Sequence, residues 1–189
     1  PDYALAYGEI IRATMSDIDP DGADEYQANY EAFESIVAEL ATAMEASFAT
    51  IPDGNRVLLT YHDAYAYFAE NYGFTVIGAI QPADFGEPSP QEVASLIEQV
   101  RDTGVPAIFG SEVFPSPVLE QVANETGAEY IDDLRDDDLP GEPGDAEHSW
   151  LGLMKFNFVT MTEALGGDAG ELEPFEVRNV VPDEAEYAE

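Results

Sequence analysis

The chain holds only two histidines, His62 and His148, and each stands among carboxylates. Asp63 follows His62, while Asp145 and Glu147 precede His148. Ser111-Glu112 and Asp132-Asp133 are two further polar pairs that fall where apolar runs end. Imidazole beside carboxylate is the ligand chemistry of Zn and related ions. Both histidines are expected at helix starts, where the partial positive charge of the helix end disfavours imidazolium and leaves a ring nitrogen able to coordinate. A single histidine on such a loop is usually structural or solvated, so the pair has weight only if the fold unites it. With no cysteine, there is no disulfide frame and no thiolate metal site.

Other chemistries have thinner support. Ser111 and His62 could be imagined as nucleophile and base, but no G-x-S-x-G elbow surrounds the serine. Neither a G-x-x-x-x-G-K phosphate loop nor a G-x-G-x-x-G turn after a strand is present. The acidic run Arg135-Asp136-Asp137-Asp138 lacks EF-hand spacing and reads as a solvated loop. Tyr65, Tyr67, Phe68 and Tyr72 read as helix packing.

The elements that must position these residues follow from hydrophobic period and punctuation. Residues 2–18 read as a helix, followed by an Asp-Pro-Asp-Gly turn. Tyr26, Tyr30, Phe33, Val37, Leu40, Met44 and Phe48 recur at three- and four-residue steps, predicting one helix over 23–50, about 42 Å long. Strands are expected at 57–61, 74–80, 107–109 and 129–131, with helices at 62–72, 91–102, 117–126 and 149–165. Between them lie a Pro-rich loop at 81–90 and a polar loop at 132–147. The stretch from Gly167 has one apolar patch (Phe175, Val177, Val180, Val181) and otherwise reads as mobile. Alternating strands and helices predict an α/β fold: a four-stranded parallel sheet covered by helices on both faces, preceded by a long connecting helix. In such sheets ligands bind beyond the carboxyl ends of the strands, where His62, Glu112, Asp132 and Asp133 fall and which His148 could reach.

Composition narrows the partners. The 189 residues include 40 acidic and 6 basic ones, a net charge of −34. Phosphate-backbone recognition needs clustered Lys and Arg, so nucleic acid is excluded, and docking on an anionic membrane is disfavoured. Disorder is not the reading, because 10 Phe, 10 Tyr and a Trp can build a core. A folded protein working in strong salt fits better, since molar salt shortens the Debye length to about 3 Å and quiets carboxylate repulsion. This halophilic reading expects unfolding when salt is removed. No apolar run approaches a membrane span and no signal peptide is recognisable. Pro1 has no Met before it, so a fragment of a longer chain is expected.

The segment VLLTYHDAYAYFAENYGFTVIGAI (57–80) resembles the strand–His–Asp–Ala–aromatic segment of the zinc/manganese-type ABC transporter solute-binding proteins. EPSPQEVASLIEQVRDTGVPAIFGSEVFPSPVLEQVANETGAEY (87–130) and HSWLGLMKFNFVTMTEAL (148–165) are similar to the stretches that follow in that family. The motifs occur in order over about residues 1–166, and the helix at 23–50 resembles the connector between the family's two lobes.

That resemblance implies a domain plan: 1–22 the end of an N-terminal lobe, 23–51 the interlobe helix, 52–166 the C-terminal α/β lobe and 167–189 an acidic tail. The implied function is an extracytoplasmic receptor, not an enzyme, that captures a divalent ion in an interlobe cleft and delivers it to an ABC permease. It would work at the extracellular face of the membrane or in the periplasm, lipid-anchored in its full-length form. The family's third ligand maps onto His62, and its fourth, commonly Asp or Glu before the last helix, maps onto His148. Two more ligands, one in an Asp-Pro-His-x-Trp segment, would lie in the N-terminal lobe upstream of Pro1, so weak binding is expected of this chain alone. Extra nitrogen ligands favour Zn, with Mn or Fe as alternatives. Glu112 matches an acidic residue that would orient His62 or its loop, and Asp63 is a second such residue. The rival readings are a metal-dependent hydrolase, with His62 and His148 holding a catalytic ion and Glu112 as base, and a structural or adhesive module with no ion.

Overall fold

The structure, a computed structural model, describes residues 1–81, 88–113, 115–136 and 138–182. Helix α1 (Asp2–Ile18) and helix α2 (Ala23–Ala49) form a hairpin across the 3₁₀ turn Pro20–Gly22. Strand β1 (Val57–His62), helix α3 (Ala66–Tyr72), strand β2 (Thr75–Gln81), helix α4 (Pro90–Thr103), strand β3 (Ala107–Phe109), helix α5 (Pro117–Thr126) and strand β4 (Glu129–Ile131) then alternate. Helix α6 (Trp150–Ala164) closes the sequence of elements. Most of the expected Pro-rich loop falls at 82–87, outside the described residues.

Local chemistry explains the boundaries. At α4, Ser89 Oγ accepts from the Glu92 N–H at 3.3 Å while Glu92 Oε2 accepts from the Ser89 N–H at 2.7 Å. This reciprocal cap satisfies two helix-end donors, and Pro90 fits the first turn, where its missing N–H costs nothing. Ser116 and Ser149 cap α5 and α6 through the N–H groups of Leu119 and Gly152. Gly73, Gly104 and Gly127 end α3, α4 and α5 in the left-handed region, at φ 72°, 64° and 82°.

The α/β expectation holds, with one change to the sheet. β1 pairs with β2 and β3 with β4, both parallel, as two separate two-stranded ladders, with β1 packed beside β3. The four-stranded sheet is therefore interrupted, among the described residues, between β1 and β3. Its short strands leave little edge to pair: β3 and β4 have three residues each, and the β1–β2 register slips between Leu58 and Leu59. Successive strand residues face opposite sides. Leu58 and Leu59 are both fully buried, as are Ala107, Ile108 and Phe109, so both sides of the layer are covered.

The core joins this layer to the second half of α2. Ile36, Val37, Leu40, Met44 and Phe48 are all buried. Phe48 meets Phe68, Tyr72, Phe74 and Phe158 edge-on, with ring centroids 5.5–5.6 Å apart. That is the favoured geometry for aromatic rings and ties α2 to α3, to the residue before β2 and to α6.

The segment after α6 differs from its reading as a mobile tail. Ala169, Leu172 and Phe175 are buried. Lys155 Nζ donates to the Phe175 carbonyl at 2.7 Å, and Arg178 Nη2 donates to both carboxylate oxygens of Glu39 at 2.7 Å. Three apolar residues among many carboxylates were too sparse a pattern to reveal a docked segment. No carboxylate is buried among the described residues.

Candidate metal centre

His62 is the last residue of β1, paired in register with Gln81. The expected helix at 62–72 starts instead at Ala66, with Tyr65 flanking it, so His62-Asp63-Ala64 is a strand-to-helix connection. Thr60 Oγ1 donates to the His62 carbonyl at 2.7 Å, and the Tyr61 ring stands edge-on to the imidazole at 4.8 Å. The helix-start placement expected of His62 therefore does not hold, whereas His148 stands one residue ahead of the α6 cap Ser149.

His148 is positioned by a series of tight turns. Its N–H donates to the Asp145 carbonyl at 3.1 Å, and the Ser149 N–H donates to the Glu147 carbonyl at 2.7 Å. The Glu142 N–H donates to Asp145 Oδ2 at 3.1 Å. Gly141 and Gly144 take positive φ of 72° and 98°. Gly152 is required for a different reason: a Cβ there would run into the Glu147 backbone. The loop carrying His148 therefore lies directly on the first turn of α6.

Around His62 is a small cavity of about 80 Å³, lined by Thr60, Tyr61, Ala64, Tyr65, Phe109, Gly110, Leu134 and Asp136. His148 is not among its lining residues, and no group of three or more His, Asp or Glu that could hold an ion forms among the described residues. Asp63, expected to support His62, is exposed and makes no hydrogen bond among the described residues. Asp132 and Asp133 are exposed as well.

Glu112 acts on the loop rather than on His62. Its Oε1 accepts the N–H groups of Asp136 and Asp138, both at 3.3 Å, while its own N–H donates to the Leu134 carbonyl at 3.1 Å. Ser111 Oγ donates to Asp136 Oδ1 at 2.7 Å, and with that engagement it is not set up as a nucleophile activated by His62. On the far side of the same loop, the Arg135 N–H donates to Asn157 Oδ1 at 2.8 Å and Asn157 Nδ2 donates to the Arg135 carbonyl at 2.7 Å. The guanidinium of Arg135 covers the Phe156 ring at 5.3 Å. Burial, aided by the charges of Asp136 and Glu112, pushes the Tyr65 hydroxyl up to about 12, so it stays protonated beside them. Asp136 and Tyr65 also line a larger, mostly apolar cavity of about 320 Å³ with Phe68, Leu153, Met154 and Phe158. The sequence reading gave Asp136 to a solvated acidic run and Tyr65 to helix packing. Tyr65 reaches the cavity along the chain from His62, whereas Asp136 is brought there only by the contact between the β3 end and the β4–α6 loop.

A parallel α/β layer with a histidine and carboxylates at the carboxyl ends of its strands is a ligand-binding architecture. Residues 1–164 match the model of the family described as zinc-uptake complex component A, periplasmic (ZnuA), and the chain belongs to that family. It is 29% identical over 161 residues to the manganese-binding lipoprotein MntA of Halalkalibacterium halodurans, covering 85% of this chain and 53% of that protein. It is also 29% identical over 167 residues to the iron-binding protein YfeA of Yersinia pestis, covering 88% and 53%. The Mn-bound periplasmic metal binding protein of Candidatus Liberibacter asiaticus superposes with a TM-score of 0.74 at 26% identity, over 86% of this chain and 59% of the other. The chain thus spans about half the length of the curated relatives it matches. These relatives are binding proteins, so the chain belongs to a family of solute-binding proteins rather than enzymes, and the hydrolase alternative has no support.

Proposed function

We propose that this chain is the C-terminal lobe, with its connecting helix, of an extracytoplasmic receptor that captures a divalent transition metal and delivers it to an ABC permease. Residues 1–22 belong to the end of an N-terminal lobe and 23–51 to the interlobe helix. His62 and His148 are the ligands this chain contributes, and the remaining ligands come from the N-terminal lobe. The observation that carries this reading is the placement of His62 at the carboxyl end of β1, on a cavity it shares with a carboxylate. The fact that only the second half of α2 is buried in the α/β layer supports the connector role. Zn is the preferred ion, because two imidazoles favour it over Mn. Its family is described by zinc, while the relatives above are named for manganese and iron. The receptor acts at the outer face of the membrane or in the periplasm, held by a lipid anchor.

The net charge of −34 helps draw cations to the site. It also implies a working environment of strong salt. The described carboxylates have few basic partners: Arg12–Glu9, Arg56–Asp53, Arg101–Glu125 and Arg178–Glu39 are the ion pairs among the described residues. The test is a titration of Zn and Mn in molar salt on the chain and on its His62→Ala and His148→Ala variants. Weaker Zn binding by each variant supports the reading; binding unchanged by both refutes it. Circular dichroism of the same samples in salt-free buffer should show loss of native structure, and a retained native spectrum would remove the halophilic part.

A further inference from the structure

We propose that the segment after α6, residues 167–182, is a splint that fastens the second half of α2 to the α/β layer and so fixes where the connecting helix can bend. It lies beyond residues 1–164, which match the family, so family membership does not supply it. The splint itself does not depend on the receptor reading. Its consequence for the spacing of two lobes rests on the connector role proposed for α2.

The contacts run in order along the helix. At the carboxyl end of α2, the Asp168 N–H donates to Thr50 Oγ1 at 2.7 Å, and Thr50 Oγ1 donates to the Ser47 carbonyl at 2.6 Å. Gly167 comes so close there that a Cβ would lie 2.8–2.9 Å from Ile51, Thr162 and Thr50. Further along the segment, Arg178 Nη2 donates to both carboxylate oxygens of Glu39 at 2.7 Å. Rising numbers in the segment thus meet falling numbers in α2, so the segment runs antiparallel to the helix. From Glu39 to Thr50 the helix rises about 16 Å. Between these two ends Ala169, Leu172 and Phe175 are buried, and Lys155 Nζ of α6 donates to the Phe175 carbonyl. A chain with 40 acidic residues commits two of its six basic ones, Lys155 and Arg178, to this segment.

The place of the clasp gives it a role. Ile36 and Val37 are the first buried residues of α2, so Glu39 stands where the helix leaves the layer. A helix held along one face can rock on that face. A second line of contacts reaching the exit point removes this freedom, and bending is confined to residues before Ile36. Hinge motion concentrates in a few residues where packed contacts end. The exposed Arg178–Glu39 pair is screened in molar salt and sets the register, while burial of Leu172 and Phe175 holds the segment down.

The chain has no cysteine, so two spin labels can be placed uniquely, at Ala28→Cys on the first half of α2 and Ala94→Cys on the exposed side of α4. Double electron–electron resonance, in molar salt and without metal, reads the distribution of distances between them. The parent should give one narrow distribution. Leu172→Ala should broaden it most and Arg178→Gln less, and Glu39→Arg combined with Arg178→Glu should restore the parent width. Val122→Ala, a truncation of a fully buried residue on α5, should lower the melting temperature and leave the width alone. Parent widths in both Leu172→Ala and Arg178→Gln would overturn the proposal. So would equal broadening in Val122→Ala, which would mark general loosening of the fold. Should Leu172→Ala fail to fold, Arg178→Gln and the charge-swapped pair decide: an unchanged width in the first, or no recovery in the second, overturns the splint. The distances are read without metal, so failure of the Zn and Mn titration would refute the receptor reading and leave the splint standing.

Discussion

The helical hairpin and the α/β layer have similar apolar periodicity and opposite burial. In α1, Tyr3, Tyr7, Ile10, Ile11, Met15 and Ile18 are exposed, from 38% to 73%, while the small residues Ala4, Gly8 and Ala13 face inward. Gly8 sits so close to α2 that a Cβ would lie 3.3 Å from the Tyr30 ring. In the α/β layer and the second half of α2 the large apolar residues are inside and fully buried. Both regions form helices for the same reason, yet only one has covered its apolar stripe within this chain. A helical period predicts that a stripe exists; the partner that covers it depends on what else is folded beside it.

The contrast can be broken most sharply at Phe48. Phe48→Ala removes the ring that four other aromatics meet and should cost about 3–5 kcal/mol in chemical denaturation. A loss under about 1 kcal/mol would mean that α2 is not part of the layer's core. Gly152→Ala comes next, since it forces the Glu147 backbone off α6. About 1–3 kcal/mol of destabilisation is expected, as for other overpacked sites, together with a moved His148 ring resonance in NMR. An unmoved resonance would show that the loop is not seated on the helix.

Alkaline titration sharpens the layer's side of the comparison. Burial raises the Tyr65 hydroxyl to about 12, from an ordinary value of 10.0, and burial with Asp2 and Glu45 nearby does the same for Tyr72. A group whose folded pKa is raised contributes its stability below the unfolded value and loses it as pH climbs through the folded one. Thermal stability should therefore fall between pH 10 and about 12, and Tyr65→Phe should flatten the fall. A Tyr65→Phe profile that follows the parent would place the hydroxyl in water. The smallest effect belongs to α1: Ile10→Ser on the exposed stripe should change stability by less than about 0.5 kcal/mol. A loss of several kcal/mol would reveal a partner for that stripe in solution.

Much of the architecture was legible in the sequence. β3, β4, α1 and α5 have the bounds that periodicity gave them, and at α5 the Ser116-Pro117 start and the Gly127 stop are local signals. The helix expected from His62 was misplaced because its true start, at Ala66 after Tyr65, carries no side-chain cap to mark it. The docked segment at 169–175 was missed because its few apolar residues gain their meaning only from the groove that receives them.

Residue types and period by themselves determined a parallel α/β chain with His62 just past its first strand, and motif order gave the resemblance to a metal-binding family. Tertiary structure alone decided that the strands pair as two ladders, that Glu112 holds the loop after β4, and that Asp136 shares a cavity wall with His62. The physical reason is range. Helix caps and strand periods are fixed within a few residues, whereas the cavity wall is assembled from segments more than 70 positions apart, 62 and 136, joined by the hydrogen bonds of Ser111 and Glu112.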